Sequence, residues 1–156
     1  MNGLNESTSS LGPKELAHGA LRGAIAAMAM TGMREFTQSA GIVDQTPPQA
    51  IVKQRARGLI RHVPRKRRRA ALEAMHWSYG AVGGLTFASL PDGVRRRAWA
   101  GPVYGLVVWL GFEVGIAPLL GLKQAYQGRP VERAALAADH LLYGFVLSET
   151  RRRPRK

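Results

Sequence analysis

The sequence contains no cysteine. That absence excludes a disulfide framework, thiolate metal sites and a cysteine nucleophile, and it leaves the redox compartment open. Acidic residues are scarce, with 10 Asp and Glu against 23 Lys and Arg for a formal net charge of +13. Such an excess calls for a polyanionic surface, either anionic lipid head groups or nucleic acid. The chain has no Gly-x-Ser-x-Gly elbow, no phosphate-cradling glycine loop and no His-x-x-x-His pair. Hydrolase, nucleotide and metal chemistry therefore lack their usual signatures, and no metal or cofactor is expected.

Charge is absent from long stretches as well. Residues 74 to 90 and 98 to 112 contain no Asp, Glu, Lys or Arg. A helix on the surface of a soluble domain needs polar residues every three or four positions, so two such stretches joined by a short hairpin point to a lipid environment. The slightly negative mean hydropathy of −0.14 hides this, because it averages apolar segments with very basic connectors.

Four helices are expected, at about 17 to 38, 70 to 90, 98 to 122 and 131 to 149. Residues 1 to 16 form a polar lead without the basic and apolar regions of a secretory signal, and 150 to 156 form a basic tail. Between the first two helices, Pro47 and Pro48 break the chain. The stretch from 49 to 69 then alternates Ile51, Val52, Leu59, Ile60 and Val63 with lysine and arginine, as a basic amphipathic helix on a head-group surface would. Arg65, Lys66, Arg67, Arg68, Arg69, Arg95, Arg96 and Arg97 are the candidate head-group ligands. Basic residues flank both sides of a four-span arrangement, so the positive-inside rule gives no orientation.

The sequence His-x-x-Tyr-Gly occurs twice, as HWSYG at 76 to 80 and HLLYG at 140 to 144. On a helix, His and the Tyr three residues on share a face, and the following Gly leaves room for a neighbouring backbone. Gly19-x-x-x-Gly23 opens the first segment and Gly101-x-x-x-Gly105 the third, so the chain reads as one helical hairpin written twice, a parallel repeat. Gly19, Gly23, Gly80, Gly101, Gly105 and Gly144 are the expected packing glycines. His76, Tyr79, His140 and Tyr143 are expected near the bundle centre, with Glu113 as the acidic neighbour and Asp139 beside His140. Charged groups inside a membrane face the bundle interior and pair, so this cluster either fixes helix register or moves protons or ions. For four short helices the structural role is favoured.

These motifs resemble a group of small bacterial inner-membrane proteins of unassigned function, the YagU-like group. The resemblance runs over roughly residues 17 to 148 and lies in TPPQ, HWSYG, YGLVVWLGFE, PLLGL and HLLYG. The basic connector and tail depart from the group's pattern. What the resemblance implies is a multi-pass protein of the bacterial inner membrane, and it supplies no catalytic residues.

The expectation is thus an all-α membrane bundle of four short spans in two hairpins, non-enzymatic, structural or accessory, with a minimal proton- or ion-linked carrier as the alternative. Its partners would be the bilayer with its anionic head groups, and a second copy or a membrane protein through the small-residue faces. Nucleic acid is not expected, although a soluble helical protein binding nucleic acid through its arginines is the rival from a different class.

Overall fold

The computed structural model describes residues 12–42, 51–52, 54, 62–122 and 129–149. Among these the chain is helical throughout, with no strand. Helix α1 spans Pro13–Ser39, α2 Arg68–Ala88, the single-turn α3 Asp92–Arg95, α4 Ala100–Leu110 and α5 Pro130–Glu149. Helix α4 runs on through a π-helical turn, Gly111–Ile116, and a last α-turn, Ala117–Leu119. The tail and the TPPQ stretch lie outside the described residues, as do residues 50, 53 and 55–61 of the expected connector helix.

Local chemistry sets the ends. Pro13 occupies the first position of α1, where its missing N–H costs nothing, and the Glu15 carboxylate accepts from the Gly12 N–H at 3.1 Å. The expected polar lead therefore ends earlier than residue 16. At the other end Gly41 takes φ +68°, and the N–H groups of Gly41 and Ile42 return to the carbonyls of Gln38 and Thr37. Gly121 repeats this after α4, with φ +58° and bonds from Gly121 and Leu122 back to Pro118 and Ala117. Both are Schellman closures, which need a left-handed residue that glycine adopts without strain.

Helix α1 packs against α2, α4 packs against α5, and the two hairpins meet along α1 and α5. A core of Ala26, Ala27, Met30, Phe87, Ala100, Tyr143 and Leu147 lies between them. Many large apolar side chains are elsewhere, as Leu21, Phe36, Val107, Val114 and Phe145 are exposed, and Leu119 is 87% exposed.

Three expectations change at this level. Arg68 and Arg69 form the first turn of α2 and Arg65–Arg67 a 3-10 turn before it, so the basic run belongs to a helix start and not to the end of a surface-lying connector. Arg68 turns back, its Nε–H donating to the Val63 carbonyl at 3.1 Å. From the connector itself, Ile51 and Val52 line the interior, with Val52 buried. Length and composition, finally, single out one helix able to cross a membrane among the described residues, Ala100–Leu119. The other long helices are diluted by Gly, Ala and interior polar groups such as Arg34, Glu73 and Asp139.

Candidate functional site

Each hairpin is closed by glycines. In the first, a Cβ on Gly23 would stand 2.8 Å from the Gly84 backbone, and one on Gly84 2.7 Å from the Gly23 Cα. In the second, a Cβ on Gly144 would stand 2.6 Å from the Gly101 carbonyl carbon, and one on Gly105 2.9 Å from that of His140. Contacts this short exist only because no side chain intervenes, and they bring antiparallel backbones together face to face. The expected packing glycines thus all lie at the two crossings. Gly84 and Ser148, each four residues after the motif glycine, complete them, Gly84 against Gly19 and Ser148 against Gly101.

Beyond the crossings the hairpins diverge and leave a cavity of about 440 Å³ between α2 and α4, floored by α1 and α5. Tyr104, in its wall, and Phe87 bridge α4 and α2, with ring centroids 5.2 Å apart. Two phenols anchor there on α2 carbonyls: Tyr104 donates to Gly83 at 2.7 Å, and Tyr143 to Gly80 at 2.8 Å. Those carbonyls already serve the helix, and their second lone pairs take the phenols because no Cβ shields them.

Part of the cavity lining is polar. Arg34 from α1 and Asp139 from α5 are 4% and 1% exposed, and Arg34 Nε lies 3.9 Å from Asp139 Oδ2. That is an ion pair too long for a hydrogen bond. The guanidinium also donates through its terminal nitrogen to His76 Nε2 at 2.9 Å, which places the proton of His76 on Nδ1. His140 also carries its proton on Nδ1, since that atom donates to the Leu136 carbonyl at 2.8 Å. One turn of α1 away, Thr31 donates to Glu73 at 3.0 Å and accepts from the Trp77 indole at 3.1 Å.

His76, Tyr79, Asp139, His140 and Tyr143 all line this cavity, as the repeat predicts. The two motif copies nevertheless differ. Tyr143 is 4% exposed and bonded across to the other hairpin, while Tyr79 is 51% exposed and makes no hydrogen bond among the described residues. Glu113 is the exception among the expected cluster. It sits in the π-helical turn, pairs with Arg133 at 3.0 Å and does not line the cavity. A π-turn shifts the residues it contains around the helix relative to an α-helical wheel, which is why helical spacing misplaces Glu113.

Sequence reasoning misses Arg34, the charge at the centre of the site. It stands in AIAAMAMTGMREF, where an arginine near the end of an apolar segment looks like a flanking residue. Its spacing carries the signal, because Arg34 falls on the buried face of Gly19, Gly23, Ala27 and Met30. Sequence reasoning likewise misses the Glu-x-x-His spacing of Glu73-Ala-Met-His76, whose two polar side chains are held by Thr31 and Arg34. Among the described residues no group of three His, Asp or Glu could hold a metal ion.

The expected head-group residues fall in two groups at the connections between helices. Arg65, Lys66, Arg67 and Arg69 are exposed before and at the start of α2, with Arg69 paired to Glu35 at 2.6 Å. Arg95 and Arg96 both engage Asp92 in the turn before α4, and Arg97 beside them is exposed. Comparison with known protein families, curated proteins and solved structures finds no match. The likeness to the YagU-like group accordingly rests on the motifs alone.

Proposed function

We propose that this chain is a small integral membrane protein, its four long helices crossing the bilayer as two hairpins, with a structural or accessory role and no catalysis. The observation that carries this reading is an inverted distribution of side chains. Glycine, alanine and a charged pair fill much of the interior beside a few large residues such as Met30, Phe87 and Leu147, and leucine, valine, methionine and phenylalanine cover the outside of α1, α2, α4 and α5. Water-soluble monomers rarely expose apolar patches beyond a few hundred Å². In lipid the same exterior costs nothing, and helices associate through small residues and interior polar contacts. The arginines before α2 and those after it lie at opposite ends of that helix, where anionic head groups would meet them. A bacterial inner-membrane location follows from the family resemblance.

The test is extraction of native membranes with alkaline carbonate. Retention in the pellet is the expected result. Release into the supernatant overturns the reading and makes the arginines, assayed for salt-dependent binding to nucleic acid, the next object of study.

A further inference from the structure

We propose that the cavity between the two hairpins holds an apolar molecule with a single hydroxyl head, the hydroxyl accepting from Arg34 Nε–H and donating to Asp139 Oδ1. Three observations lead there. The cavity, at about 440 Å³, falls within the ordinary range of small-molecule sites. Most of its wall is apolar, supplied by residues such as Ile51, Leu72, Val108, Phe112 and Ile116. At its polar end Arg34 Nε and Asp139 Oδ1 are both buried and have no hydrogen-bond partner among the described residues.

The two orphaned atoms define the head group. One is a donor and the other an acceptor, and they belong to side chains of opposite charge that are already beside each other. An anionic head would satisfy Arg34 and repel Asp139; a cationic head would do the reverse. A hydroxyl satisfies both, since its oxygen accepts while its proton donates. Leaving either group unsatisfied costs more than a neutral hydrogen bond is worth, so the head group confers selectivity. His76 holds a terminal nitrogen of the guanidinium and so fixes its orientation. The apolar walls then take the chain of the molecule, and the site exists between the hairpins whether the protein rests in lipid or in detergent.

Dodecanol is a suitable probe, with dodecane, dodecanoate and dodecylammonium as matched controls. The full chain in phospholipid nanodiscs is offered each, and bound molecules are counted by native mass spectrometry. One dodecanol per protein is expected, held at least about tenfold more tightly than any control, as one extra satisfied hydrogen-bonding group predicts. Val108→Trp fills the apolar wall without touching the polar end and should abolish binding. Asp139→Ala should remove the preference for the alcohol over dodecane. Equal retention of all four probes, which a water bridging Arg34 and Asp139 would produce, overturns the proposal. So does preference for dodecanoate, or wild-type binding by a folded Val108→Trp variant. Should Asp139→Ala fail to fold, the probe series and Val108→Trp decide by themselves. Carbonate extraction is read separately, so failure of this site and failure of the membrane assignment are distinguishable.

Discussion

Arg34 and Asp139 show what one residue contributes here. A buried ion pair gains little over well-packed apolar residues, but half of one leaves a charge without compensation. Arg34→Met or Asp139→Leu alone should destabilise the protein by about 3–5 kcal/mol, and the double variant should be milder than either single one. Denaturant titration of the reconstituted protein measures this, and a double variant as damaged as the sum of the singles would contradict it. The exposed pair Arg69 and Glu35 offers the contrast, since Arg69→Ala should shift stability by about 0.5 kcal/mol or less. Among the tyrosines, Tyr143→Phe forfeits a buried bond and should cost roughly 1–2 kcal/mol, whereas Tyr79→Phe should be close to neutral. Equal effects at the two positions would mean that the motif copies are equivalent after all. Glycine divides in the same way. Gly84→Ala drives a methyl into the α1 backbone and should cost about 1–3 kcal/mol. Gly32→Ala, which meets nothing within 4 Å, should gain up to about 1 kcal/mol in the same titration.

At the scale of the element, α4 is the informative helix. Pro118 has no N–H to return to the Val114 carbonyl, and its ring crowds that carbonyl, so the helix widens into a π-turn just before it. The widening turns Glu113 toward Arg133 and away from the cavity. Pro118→Ala should let α-helical geometry return and carry Glu113 around the helix, breaking the pair. A double-mutant cycle on Glu113 and Arg133 should report a coupling of about 0.5–1 kcal/mol in the native background and near zero with Pro118→Ala. An unchanged coupling would show that something other than the proline sets the turn.

For the whole molecule, the single helix α2 between two of the chain's basic regions places them at opposite ends. Residues 65 to 69 precede α2 and residues 95 to 97 follow it. The absence of native cysteine makes the test clean. Single cysteines at Lys66 and Arg96 should react with a membrane-impermeant maleimide from opposite sides of sealed vesicles. Labelling of both from one side would break the two-hairpin topology even if the protein resisted carbonate.

The helical class, the hairpin boundaries and the doubled glycine crossings were legible in the sequence, and the reason is local. The turn at Pro91 and the helix start at Pro130 follow from proline, and the crossings from spacing four apart on one face. Those signals depend on neighbours in the chain, and one helix carries them complete. The partnership of Arg34 with His76 and Asp139, the inequality of the two tyrosines and the departure of Glu113 were decided only by the tertiary structure. Each depends on how the two hairpins splay and on one widened turn of α4. Spacing along a single helix tells which residues share a face, but it carries no record of what stands opposite that face.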